Sequence, residues 1–198
     1  MLRRQFVTGL LMTVVLTVLL GFVYPLVVTG ISQVSMSKRA NGSLVSANGK
    51  VVGSSLIGQN FTDARGNPLV QYFQPRPSAA GTNGYDAMSS SGSNLGPSNP
   101  TLLDSVAHRV AQYRKLNGLA ADVKVPVDAV TASASGLDPQ ISVANARLQG
   151  ARVARARDLT VAQVTGLIAA HTQGRQLGIL GEQTVNVLEL NLALDRVR

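Results

Sequence analysis

The chain has 198 residues, a formal net charge of +8, eight aromatic side chains and no cysteine or tryptophan. The missing cysteines exclude disulfide scaffolds, thiolate zinc sites, iron–sulfur clusters and cysteine nucleophiles. The positive charge invites a nucleic-acid reading, but no basic run exceeds two residues and aromatic stacking platforms are scarce, so phosphate-tracking surfaces are not supported.

Charge is unevenly spread. Gln5 to Ser37 contains no formal charge, while all ten acidic and sixteen of eighteen basic residues follow it, leaving that later part at +6. Phe6 to Ile31 reads as one apolar membrane-spanning helix, longer than the ~30 Å hydrocarbon core, with tilt or a bend near Pro25 absorbing the excess. A cleaved signal peptide is the rival, with Arg3 and Arg4 as its basic end, but its apolar part would be far beyond the usual ~7–15 residues. Arg3 and Arg4 stand against Lys38 and Arg39, so charge alone leaves the orientation open. Gly9, Thr13, Thr17 and Gly21 recur every fourth residue and form a small-residue ridge suited to close approach of a partner helix.

The chain therefore divides into residues 1–37, carrying the membrane helix, and residues 38–198, a soluble α+β domain. Lys38 to Lys50 is expected as a polar connector with Asn-Gly turns, followed by a strand from Val51 to Ile57. Gly66 to Asn99 is rich in Gly, Ser, Pro and Asn, a long loop that is either functional or disordered. Asn99 and Pro100 predict a helix start, with Leu103, Val106, Val110 and Tyr113 on one stripe and a stop before Gly118. Asp138–Pro139 predicts a second helix to about Arg157, bearing Arg147, Arg152, Arg155 and Arg157 on a solvated basic face. Thr160 opens a third helix, with Gln163 completing a capping box and Leu159 and Val164 forming a staple. The strict alternation of Leu188–Leu194 suits a strand, with a short helix as the alternative.

The sequence supplies no enzymatic constellation. His108 and His171 lack companion ligands, no serine lies in a Gly-x-Ser-x-Gly elbow, and neither a dinucleotide fingerprint nor a Walker loop is present. No metal site, and no cofactor bound by this chain alone, is expected. Two small polar segments stand out, Ser89–Leu95 and Thr131–Pro139. Each could offer amides and hydroxyls to a ligand or serve as elaborate capping.

These segments carry a resemblance. Ser55–Phe61, Tyr72–Ala79 with its Phe-Gln-Pro-Arg-Pro core, Gly92–Leu95, Pro126–Val127, Thr131–Pro139 and Val185–Leu194 occur in order after an anchor containing Tyr24–Pro25. The pattern resembles the KdpC family, the C subunit of the Kdp potassium-transporting ATPase, over essentially the whole chain. Family members often carry Gly at the position of Ala134 and His at that of Gln140.

The resemblance implies a non-catalytic subunit of the bacterial inner membrane with one membrane helix and a periplasmic domain. It implies three partners: a channel-like potassium-binding subunit, an ATP-hydrolysing P-type subunit and a small single-helix subunit. The complex would use ATP, Mg2+ and K+, this subunit raising the ATP affinity of the hydrolysing one. A periplasmic domain cannot touch cytosolic ATP, so such an effect would be coupling through the membrane. Candidate partner-binding residues are Gly9, Thr13, Thr17 and Gly21 on the anchor, with Arg76, Asn94, Ser133, Ser135 and Asp138 in the soluble domain. The alternative is an anchored exported binding or structural protein without ATPase partners.

Overall fold

The structure, a computed structural model, describes residues 1–197 and separates into two compact units, residues 1–44 and the remainder of the chain. The first is a helix of 39 residues, about 58 Å at ~1.5 Å per residue. It comprises α1 (Leu2–Val18), a π turn (Leu19–Val23) and α2 (Tyr24–Ala40), with no buried residue. The π turn has a local cause. A proline ring collides with the carbonyl four residues earlier, which for Pro25 is that of Gly21, and opening the turn there relieves the clash. The helix loses regular geometry at Met36, where φ is −150° and ψ is 48°.

The soluble unit opens with a hairpin, β1 (Leu44–Ala47) and β2 (Lys50–Ser54). Asn48 and Gly49, both with positive φ, form the tight turn that Asn-Gly favours between antiparallel strands. The expected polar connector thus contains a strand. From Ser55 to Asn99 there is no helix or strand beyond an isolated bridge between Thr62 and Pro68. The remaining elements are α3 (Pro100–Asn117), a 3-10 turn (Val127–Ala129), β3 (Gln140–Ser142), α4 (Val143–Ala156), α5 (Val161–Ala170), β4 (Thr172–Gln173), β5 (Thr184–Asn186) and α6 (Val187–Leu194).

Two helix starts follow the expected chemistry. Asn99 accepts a hydrogen bond from the Thr101 amide, and Gly118 closes α3 in the left-handed conformation. Thr160 and Gln163 form a reciprocal capping box at α5. Two other expectations fail. Asp138–Pro139 does not open the second helix. Residues 140–142 pair with β5, placing Ile141 opposite Val185, and Ser142 caps α4 by accepting from the Asn145 amide. Leu188–Leu194 takes the short-helix alternative, not the strand. Asn186 caps α6 through the Glu189 amide, leucines, not branched at Cβ, suit a helix, and Val187, Leu190, Asn191 and Leu194 fall on one buried face.

β5 lies between β3 and β4 in a three-stranded antiparallel sheet. The core joins that sheet to α4, α5 and α6 through Ile141, Val153, Val164, Ile168, Val185, Leu190 and Leu194, and Leu159 packs against this cluster. Phe73, fully buried, enters the same core from the long loop. Fully burying such a ring contributes ~1.5–3 kcal/mol and ties the loop to the sheet and helices.

Candidate partner-binding surface

The long loop is ordered by side chains standing in for a missing backbone ladder. Asn191 on α6 accepts from the Phe73 amide at 2.9 Å and donates to the Phe73 carbonyl at 3.0 Å. Gln149 on α4 does the same for Gln74, accepting at 2.7 Å and donating at 3.0 Å. Both amide side chains are buried, so each satisfies one residue's polar backbone where water cannot.

Arg152 extends this clamp. It is 5% exposed and donates to Asn117 Oδ1, to the carbonyls of Val70 and Tyr72, and to Gln149 Oε1. No carboxylate pairs with it among the ion pairs of the described residues. Burial lowers its pKa to about 10, opposed by the Tyr113 phenol. The expected solvated face of α4 is therefore divided. Arg147 and Arg155 are exposed, Arg152 is an internal clamp, and Arg157 binds Asp195 at 2.7 Å while lying over the Tyr72 ring. The available sequence signal was helical spacing: Ala146, Gln149, Gly150 and Val153 mark the inward face that Arg152 borders.

The two small polar segments meet in space. Ser78 donates to the Gly136 carbonyl at 2.6 Å, Ser90 to the Ser135 carbonyl at 2.9 Å, and Ser91 to the Ala79 carbonyl at 2.8 Å. Arg76 Nη1 lies 3.0 Å from Asp138 Oδ2, and Asp138 Oδ1 accepts from the Gln140 amide. Tyr85 donates to the Arg76 carbonyl at 2.9 Å. The backbones approach closely: a Cβ on Gly92 would lie 2.9 Å from the Ala134 carbonyl oxygen, and one on Gly136 would lie 2.6 Å from that of Ser91. The residues are thus largely spent on one another, as neighbouring-backbone capping predicts.

Among the candidate residues, the structure brings Arg76 and Asp138 into direct contact. It places Ser133 and Ser135 3.5 Å apart, with Ser135 Oγ also accepting from the Leu137 amide. Asn94 is exposed with φ of 52°. On the anchor, Thr13 donates to the Gly9 carbonyl, while both ridge glycines face open space. In a regular α-helix four residues overshoot a turn by about 40°. The wider π turn around Gly21 holds it closer to the azimuth of Thr17 than a regular helix would.

Four titratable groups give the soluble unit an alkaline signature, among them Tyr72, whose pKa is raised by burial first and then by Asp195, with Arg157 opposing. Burial first, then the Asp138 charge, raises the pKa of Tyr85, with Arg76 opposing. Burial first, then Asp128, raises that of Tyr113, with Arg152 opposing. A phenol whose folded pKa exceeds its unfolded value of ~10 adds stability that is fully present below pH ~10 and lost as pH rises through the folded value. Arg152 has the opposite sign, since its lowered pKa favours the fold progressively above pH ~10. Three phenols outweigh one guanidinium, so thermal stability should fall as pH rises from 9 to 11.5. Replacing Tyr85 and Tyr113 by Phe should lower stability at neutral pH, by ~1 kcal/mol per lost hydrogen bond, yet flatten the alkaline decline. A wild-type melting temperature that stays level or rises over that range would contradict this assignment.

The family model described as K+-transporting ATPase, c chain (KdpC), matches residues 6–196. The chain belongs to the KdpC family. It is 58% identical over 196 residues to the potassium-transporting ATPase KdpC subunit of Mycobacterium tuberculosis, covering 99% of this chain and 100% of that protein. The same-named subunit of Koribacter versatilis is 53% identical over 195 residues, covering 98% and 95%. That of Methylococcus capsulatus is 50% identical over 195 residues, covering 98% and 99%. The KdpC match spans both structural units, so the apolar helix and the loop-clamped domain fall within one family unit.

Proposed function

We propose that this chain is a non-catalytic accessory subunit of an ATP-driven potassium uptake complex in a bacterial inner membrane. Its N-terminal helix anchors it, with the Gly9–Thr13–Thr17–Gly21 ridge facing a partner helix. Its soluble domain lies on the extracytoplasmic side. The observation that carries this reading is the whole-chain match to the KdpC family at 50–58% identity. The partners are a channel-like potassium-binding subunit, a P-type ATP-hydrolysing subunit and a small single-helix subunit.

In this reading the interlocked shelf around Arg76, Asn94, Ser133, Ser135 and Asp138 docks on the potassium-binding subunit. Held by internal hydrogen bonds, it loses little conformational freedom on docking. If it binds one conformation of the partner better, it shifts the complex toward that conformation. A coupling of ~1–3 kcal/mol changes apparent ATP affinity by about 5–150-fold without nucleotide contact. That is how this subunit raises the ATP affinity of the hydrolysing one.

Purification of the tagged chain in mild detergent should recover two large membrane proteins. The doubly substituted Arg76→Ala, Asn94→Ala chain should recover less of them, or raise the ATP concentration needed for half-maximal potassium-stimulated hydrolysis by about fivefold or more. Circular dichroism should remain native, because the Asp138 carboxylate left behind is about 26% exposed and keeps the Gln140 amide as a donor. Normal assembly and an unchanged ATP dependence in the double variant would rule out shelf docking.

A further inference from the structure

The loop from Asn60 to Pro77 leaves a cavity of about 860 Å3 against α3, reaching Gln149 on α4. A second cavity, about 410 Å3, shares Val70, Lys115 and Leu116 with the first and continues to Gly118 and Arg155. Along α3 the groove runs from Arg109 to Gly118, about 13 Å at ~1.5 Å per residue.

Its charge is one-sided. Arg76, Arg109, Lys115, Arg152 and Arg155 line the two cavities, and among the described residues no aspartate or glutamate does. Among the described residues only Arg76 of these five forms an ion pair, and its Nε is buried there without a hydrogen-bond partner. Arg152 is committed to the loop carbonyls, whereas Lys115 and Arg155 are exposed. Unneutralised cations around a concave surface attract an anionic ligand. A single carboxylate or phosphate would fill little of this volume, given that a water takes ~30 Å3. The walls also include Pro68, Pro75, Val70 and Leu116, which suit the apolar part of a peptide. At ~3.3 Å per residue, an extended strand of about four residues spans the groove.

We propose that this groove binds an extended acidic segment, about four residues long, from an extracytoplasmic loop of a partner subunit. This rests on the reading of the chain as a subunit of a complex. The groove lies on the α3 side of the loop and holds the partner by charge, in addition to any docking through the shelf.

The test titrates the detergent-purified full chain against a fluorescein-labelled octapeptide of alternating Asp and Glu. Binding should saturate and weaken with added salt. Lys115→Glu with Arg155→Glu, both at exposed positions, should lower affinity about tenfold or more. Lys50→Glu with Arg147→Glu makes the same change in net charge away from the groove and should leave affinity within about twofold. Equal losses in the two pairs, or no saturable binding, would overturn the proposal. So would groove-pair-sensitive binding of inorganic phosphate, or of anionic-lipid vesicles, without binding of the peptide. A chain that co-purifies with large partners but binds no peptide overturns the groove alone. One that binds peptide through the groove but recovers no partners overturns the subunit reading.

Discussion

Replacing Arg152 by Met should destabilise the soluble unit by ~1–3 kcal/mol and free the loop around Val70 to Gln74. Two effects compete. Removing the guanidinium relieves the cost of burying a cation, visible in the pKa lowered to about 10. It also strips donors from Asn117, Gln149 and the carbonyls of Val70 and Tyr72. The two amide side chains can rotate toward other partners. The two carbonyls belong to a stretch without sheet or helix; that of Tyr72 would keep only Gln74 Nε2 at 3.4 Å, and a buried acceptor left unpaired costs ~1–3 kcal/mol. The loss should therefore exceed the gain. Met keeps the aliphatic stem, so the effect reports the lost hydrogen bonds and not a large cavity. Arg152→Lys should also destabilise, because one ammonium cannot reproduce the fork that spans four acceptors. Denaturant unfolding followed by circular dichroism, with proteolysis of the 63–74 region, measures both effects. A Met variant as stable as wild type would show that relief of cation burial dominates.

The Gly136→Ala substitution should cost ~2–4 kcal/mol and abolish assembly. At Gly136 φ is 68°, and an added Cβ would lie 2.6 Å from the Ser91 carbonyl oxygen and 2.8 Å from Ala80. Left-handed backbone geometry alone costs an alanine ~1–2 kcal/mol. The clash adds to it because the opposing atoms include backbone held by the Ser78–Gly136 and Ser91–Ala79 hydrogen bonds. Gly118→Ala separates the terms. Its φ is 63°, but a Cβ there meets only Arg155 Nη2 at 3.7 Å. The difference in denaturation midpoint between the two variants measures the cost of forcing the polar segments apart. Only Gly136→Ala should lose co-purification with partners. Equal stability losses would mean that the segments separate freely and the shelf is not rigid.

Several features were legible because their causes are local. The uncharged run from Gln5 to Ser37 predicts a helix long and apolar enough to cross a membrane. Asn99, Thr160 with Gln163, and Gly118 act through neighbours within four residues, so their caps follow from spacing alone. The polar segments Ser89–Leu95 and Thr131–Pro139 were recognisable as unusual, and Gly92–Leu95 and Thr131–Pro139 as resembling the KdpC family. Their mutual contact was not legible, since it joins residues far apart in the chain, such as Ser90 and Ser135.

The failures have the same origin. Asp138–Pro139 is a good local helix start, but pairing of Gln140–Ser142 with Thr184–Asn186 draws those residues into a sheet and moves the cap to Ser142. The alternating leucines after Val187 satisfy a strand pattern, and the Asn186 cap with burial against α5 and the sheet makes them helical. Arg152 reads as one charge among four on a helix, and only the surrounding carbonyls of a distant loop reveal it as a clamp. By itself the sequence determined the apolar N-terminal helix, the α+β class and three of the caps, because short-range sterics and hydrogen bonds act within one turn. The tertiary structure decided the start of α4, the helix in place of the last strand, the ordering of the long loop and the basic groove beside it. Each of those depends on polar groups meeting across the chain, where burial makes every unmade hydrogen bond costly.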